Sequence, residues 1–268
     1  MKVALAQLNS NDVVSDNIQV VIRLTKEASA NGADVIFFPE NSLFFRLNQN
    51  DNIHYLDLKD QCVHQLENLS NELQIAIHLT TPIRDQKAQR FNASLLFRPG
   101  ASVEVLYRKI HLFDIELKNQ KPICESESFD YGADSSVWIY QGFRFGSSIC
   151  YDVRFAELYS QYARQEVDVI VIPAAFLVKT GAAHWDILLR ARAVESQCYV
   201  LAAAQWGRHA NVLHNNSRET YGNTLAIGPW GEVLARKESG VGLIYVELSH
   251  ANIESVRTQI PMKNHRRL

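Results

Sequence analysis

Cysteine is scarce in this 268-residue chain, with only Cys62, Cys124, Cys150 and Cys198, and none of them forms a CxxC pair or a zinc-like spacing with histidine. In a chain of this size they are expected as free thiols in a reducing compartment. No apolar run approaches the roughly 18 residues that a bilayer-spanning helix needs, and the apolar opening, residues 1–7, is too short for a secretory segment. Neither sign of charge is in excess, with 27 basic against 29 acidic residues and a formal net charge of −2. Without a basic field or a polybasic stretch, nucleic acid and membrane surfaces are not expected as partners. No strand runs into GxGxxG or GxxxxGK[ST], which argues against a nucleotide binder. Repeats, low-complexity tracts and Pro/Ser-rich linkers are missing too, so residues 1–268 read as one domain, with the cytoplasm as the expected location.

What is present is an ordinary globular composition, 47% hydrophobic and 21% charged, enough to bury a core without staples. Short β-rich runs alternate with amphipathic stretches. Strands are expected over 2–8, 34–38, 75–79, 93–97, 103–108, 137–140, 143–149, 167–172, 199–204, 223–227, 232–236 and 241–247. Helices are expected over 16–29, 61–73, 156–164 and 185–197, and residues 109–130 show no period. The fully apolar run at 34–38 suits a strand covered on both faces. About a dozen strands, with hairpins interrupting the βα units, are too many for one open sheet of modest size. The expectation is α/β: two mixed sheets face to face with helices outside, a four-layer α-β-β-α sandwich.

Three reactive side chains follow three of these strands, where sites gather in α/β sheets. Cys150 stands at a strand-to-helix turn, where the positive helix end favours a thiolate and the Tyr151 N–H faces a developing oxyanion. Glu40 ends the apolar strand, where desolvation would raise its pKa toward that of a working base. Lys109 would supply fixed positive charge. On position alone, a structural cysteine, a strand-end salt bridge and a solvated lysine remain open readings. A Cys–His pair is the rival nucleophile system, with His111 and His184 nearest to plausible site loops.

At these same residues the chain resembles the nitrilase superfamily of carbon–nitrogen hydrolases. The matching stretches are Phe37-Phe38-Pro39-Glu40, Tyr107-Arg108-Lys109-Ile110-His111-Leu112-Phe113-Asp114 and Ile149-Cys150-Tyr151-Asp152-Val153-Arg154-Phe155. The resemblance implies a Glu40–Lys109–Cys150 triad with Glu125 as an auxiliary glutamate. Within the superfamily the chain is most similar to the deaminated glutathione amidases, through Pro122-Ile123-Cys124-Glu125-Ser126, Gly181-Ala182-Ala183-His184-Trp185, residues 189–200 and residues 202–209. That implies cleavage of the amide between a 2-oxoglutarate unit and cysteinylglycine, no metal or organic cofactor, and a homodimer. Two departures bear on the substrate: Asn41-Ser42 after Glu40, and a long loop over 206–221 centred on Leu213-His214-Asn215-Asn216.

The expected reaction is acyl transfer through a Cys150 thioester. The alternatives are an ω-amidase releasing ammonia from a 2-oxo amide and, from another class, a non-catalytic small-molecule binder. Anionic substrates call for arginine, whose planar fork binds carboxylates bidentately. Arg208 on the long loop is the first candidate for that grip, followed by Arg154, with His184 nearby.

Overall fold

Two-sided burial along the first strand sets the architecture. The computed structural model describes residues 1–48, 51–116, 122–210 and 217–267. In chain order it opens with β1 (Lys2–Gln7), α1 (Val14–Ala30), β2 (Val35–Phe37), α2 (Gln61–Leu73), β3 (Ala76–Arg84), β4 (Arg90–Phe97) and β5 (Glu104–Arg108). There follow β6 (Asp114–Ile115), β7 (Ile123–Cys124), β8 (Ser136–Tyr140), β9 (Phe143–Ser147), α3 (Ala156–Arg164) and β10 (Val169–Val171). The remainder is α4 (Val178–Ser196), β11 (Tyr199–Ala202), β12 (Trp206–Ala210), β13 (Ser217–Tyr221), β14 (Thr224–Ile227), β15 (Val233–Lys237), β16 (Gly242–Glu247), α5 (His250–Gln259) and α6 (Met262–His265).

In β1, Val3 and Leu5 enter one core while Ala4 and Ala6 enter another, the period-2 signature of a strand with no wet face. The first sheet runs β16-β1-β2-β3-β4-β5 and the second β15-β14-β11-β10-β9-β8. Both are mixed: β1, β2 and β3 are parallel, as are β9, β10 and β11, and the flanking strands are antiparallel. The sheets meet face to face, with the Phe37 and Phe145 ring centroids 6.0 Å apart and His78 stacked on Trp138 at 6.2 Å. On the far side of the first sheet, Ile18, Val21 and Leu24 of α1 and Val63 and Leu66 of α2 pack on Ala4, Ile36 and Ile77. Each such fully buried aliphatic side chain contributes about 1.5–3 kcal/mol. Helices α3 and α4 cover the second sheet through Tyr162, Trp185 and Leu189. The four-layer α-β-β-α sandwich is the observed fold.

Several boundaries differ from the expectation for physical reasons. Helix α4 begins seven residues earlier, at Val178, because Gly181 acts here as a close-contact residue rather than a helix breaker. An added Cβ there would lie 2.3 Å from Cγ of Tyr221. The long loop over 206–221 is instead a hairpin, β12 paired antiparallel with β13; its expected centre, 213–216, lies outside the described residues. Helix α5 has only Ile253 buried, so it lacks the apolar stripe by which a helix is read from sequence. Among the described residues, no helix is long and apolar enough to cross a membrane.

Candidate active site

The carboxyl ends of β2, β5 and β9 point to the same rim of the sandwich, and each is followed by one of the three reactive residues. After β2 the chain continues through Phe38, whose N–H donates to the His78 carbonyl at 2.8 Å, and delivers Glu40, which is only 3% exposed. Asn41 then takes a left-handed backbone, φ 60°, a conformation Asn tolerates better than most residues, and the Ser42 hydroxyl donates back to the Pro39 carbonyl. The Asn41-Ser42 departure therefore suits the tight turn that aims Glu40 inward.

Lys109 follows β5, its N–H donating to the Asn92 carbonyl of β4 at 2.9 Å. Its ammonium donates to Glu40 Oε1 at 2.8 Å and to Glu125 Oε1 and Oε2 at 3.0 and 2.8 Å. Burial opposes the charge on Lys109, but Glu125 and Glu40 outweigh it and hold the ammonium well above its ordinary range. Glu125 stands in the short helical turn after β7, where its Oε2 accepts the Phe113 N–H at 2.7 Å. Asn92 ties the two carboxylates together, its Nδ2 donating to Glu40 Oε1 at 2.9 Å and Glu125 Oε1 at 3.2 Å.

Cys150 has φ 49°, a left-handed conformation that costs a non-glycine residue of order 1–3 kcal/mol and marks functional sites. Its N–H donates to the Pro173 carbonyl at 2.9 Å, and the turn over Cys150–Arg154 is 3₁₀ rather than α-helical. Burial first, and then the neighbouring Glu40 carboxylate, push the thiol well up, and Lys109 only partly offsets them. A thiol pushed up in this way needs a base beside it, and Glu40 lines the same cavity.

Glu40, Lys109, Glu125 and Cys150 line one cavity, and Tyr151, Arg154, Arg46 and Arg218 add to its polar wall. Arg208 is not in it. On the β12–β13 hairpin, Arg208 stands opposite Glu219 and faces out, while His209 stands opposite Arg218 and both face in. Side chains alternate along a strand, so one residue of parity separates cavity from surface. Arg154 lies by the rings of Tyr151 and Phe176 and bonds Nδ1 of the exposed His184 at 3.2 Å. The Cys–His alternative finds no support. His111 bonds Asp152 at 2.7 Å and stacks on Phe155, and neither it nor His184 lines the cavity.

Sequence reasoning missed Asn92, Asp152, Arg46 and Arg218. Asp152 is fully buried and accepts from Tyr107 Oη at 2.8 Å, the His111 N–H at 3.0 Å and the Ile149 N–H at 2.8 Å. It thereby joins the Lys109 segment to the Cys150 turn. The only signal for Asn92 was a polar residue inside the apolar run of β4.

A thiol flanked by a buried carboxylate and a buried ammonium is equipment for covalent acyl transfer. Comparison with known proteins agrees, since the carbon–nitrogen hydrolase family model matches residues 2–258. The chain belongs to the carbon–nitrogen hydrolase family. A Homo sapiens protein named deaminated glutathione amidase is 34% identical over 273 residues, covering 99% of this chain and 82% of that one. The probable hydrolase nit2 of Schizosaccharomyces pombe is 35% identical, covering 97% and 95%. Among solved structures, Saccharomyces cerevisiae Nit3, a nitrilase superfamily member, superposes with a TM-score of 0.84 at 30% identity, covering 100% and 97%. The Caenorhabditis elegans NitFhit protein gives 0.85 at 30% identity, and this hydrolase spans 65% of that longer chain. The fold and the enzyme class are those of an amidase-bearing superfamily.

Proposed function

We propose that this hydrolase cleaves a small anionic amide through a thioester on Cys150, the substrate being deaminated glutathione, split into 2-oxoglutarate and cysteinylglycine. The observation that carries the reading is that Cys150 lines one cavity with Glu40, which shares the Lys109 ammonium with Glu125. Glu40 takes the thiol proton as sulfur bonds to the amide carbon. Lys109 and the Tyr151 N–H stabilise the oxyanion. Glu40 then gives its proton to the nitrogen as the C–N bond breaks and the amine leaves. Water, deprotonated by Glu40, adds to the thioester carbon; the C–S bond breaks, the acid departs and the thiol is restored. Glu125 and Asn92 act as positioning residues that hold Lys109 and Glu40 in register.

The relatives named for this amide support the substrate, as does a wall on which four cations (Lys109, Arg46, Arg154, Arg218) face two carboxylates (Glu40, Glu125), a net charge of +2. A homodimer fits the large apolar side chains left exposed, Ile187 and Val194 of α4 and Trp230. A cytoplasmic location fits four free cysteines.

The test is a panel of small amides offered to the wild type and to Cys150→Ala, with the acyl-enzyme trapped by acid and weighed. A mass increase on Cys150 and release of free dipeptide are expected, with no turnover in the variant. Ammonia from 2-oxo amides and no dipeptide would move the reading to an ω-amidase. Full turnover by Cys150→Ala would sink the thioester. Light scattering on the same preparation tests the dimer.

A further inference from the structure

The β12–β13 hairpin sends one arginine, Arg218, into the cavity, and among the described residues it has no ion-pair partner. Arg218 lies with its guanidinium 5.4 Å from the ring centroid of Phe45, which is fully buried. The Phe45 ring also stacks on His209 at 4.0 Å, and His209 is fixed by bonds of 2.7 Å to the Ser10 carbonyl and to Thr220 Oγ1. The guanidinium thus lies by an aromatic ring that is itself fixed by the His209 stack. Among the described residues no carboxylate lies within salt-bridge distance of Arg218, because Glu40 and Glu125 are both taken by Lys109. Arg46, bonded to Ser128 Oγ at 2.9 Å, lines the same cavity and adds like charge. A desolvated guanidinium without a counter-ion is costly, and its planar fork is preorganised for a carboxylate.

The two ends of the cavity differ. Arg218 lies within electrostatic reach of Glu40, Cys150 and Glu125. Arg154 lies against Tyr151 and Phe176 and touches the exposed His184. The acyl group stays bonded to sulfur between the half-reactions and has to be held close to it. The amine must leave through the mouth.

We propose that Arg218 seats a carboxylate on the acyl side of the substrate, so that the chain left on Cys150 is itself an anionic acyl group, while the rim arginine Arg154 meets the leaving group. This rests on the amidase reading of the same site. It assigns the specificity for the acid half to Arg218 and makes that specificity independent of the amine.

The test compares wild type, Arg218→Ala and Arg218→Lys on N-glutarylglycine, N-glutaryl methylamide and N-butyrylglycine, and titrates glutarate into each protein by calorimetry. Removing a charge-assisted bidentate contact should cost Arg218→Ala about 10- to 100-fold in kcat/KM on both glutaryl amides. N-butyrylglycine should be unaffected, Arg218→Lys should be intermediate, and glutarate affinity should fall in parallel. Equal losses on glutaryl and butyryl amides, or a loss that follows the glycine carboxylate instead, would overturn the assignment. If the wild type hydrolyses none of the three, the amidase reading falls and calorimetry alone decides the seat. Glutarate bound equally by wild type and Arg218→Ala would then reject it.

Discussion

Lys109 holds its charge at 2% exposure because two carboxylates share it. Removing it therefore acts twice. Lys109→Met should lower kcat by about 100- to 1,000-fold, the usual cost of losing an oxyanion donor. It should also lower the melting temperature, since breaking a buried ion pair leaves uncompensated charge worth about 3–5 kcal/mol. Adding Glu125→Gln should recover part of the stability and none of the rate, which separates the two effects. A Lys109→Met variant altered only in KM would make Lys109 a substrate-binding group. The motif residues at this scale were legible because Glu, Lys and Cys at three strand ends carry chemistry by type. Asn92 and Asp152 were not, because their value lies in partners 33 to 52 positions away along the chain.

At the scale of elements, the β12–β13 hairpin and α4 depend on each other. Tyr221, whose N–H donates to the Phe176 carbonyl at 2.9 Å, packs its ring against Gly181 so closely that no Cβ fits. Gly181→Ala would gain helix propensity in an isolated helix but here forces the hairpin outward. A net destabilisation of about 1–3 kcal/mol is expected from the overpacking. Because Arg218 rides on that hairpin, weaker glutarate binding should accompany it. Urea unfolding together with glutarate calorimetry checks both; a variant more stable than wild type, with unchanged glutarate affinity, would disconnect the helix from the hairpin. Helix α2 was read from its sequence over Gln61–Leu73 to the residue, as its apolar positions recur at helical spacing. The hairpin was not, because a polar stretch with a glycine reads equally as loop.

Across the whole molecule, the interface between the sheets stores an acid sensitivity. His78 is fully buried between Phe37 and Trp138, neither ring nitrogen has a partner among the described residues, and burial pushes its pKa down from 6.5 to about 3. His209 is likewise lowered to about 4, chiefly by burial and also by Arg218. Below about pH 6.5 the unfolded chain takes up protons that these folded histidines refuse. Stability is therefore lost as pH falls, over the window from 6.5 to about 3 for His78 and to about 4 for His209. Each titrating histidine removes about 1.4 kcal/mol per pH unit in its window. Urea midpoints of wild type and His78→Leu at pH 7 and pH 5 should diverge, with the variant losing less stability on acidification. Parallel losses would show that His78 is not buried neutral.

By itself the sequence determined the local matters: strand and helix periods, two-sided burial of the central strands, and the residue types that can do covalent acyl transfer. Those follow from short-range pattern and from side-chain chemistry, which do not depend on distant neighbours. Only the tertiary structure decided which charges meet. It joined Glu40, Lys109, Glu125 and Cys150 by stacking two sheets so that three strand ends open on one rim. It also turned Arg208 to solvent and Arg218 to the cavity, because the pairing register of the hairpin, which sets the parity of every side chain on it, is fixed by packing against Phe45 and α4.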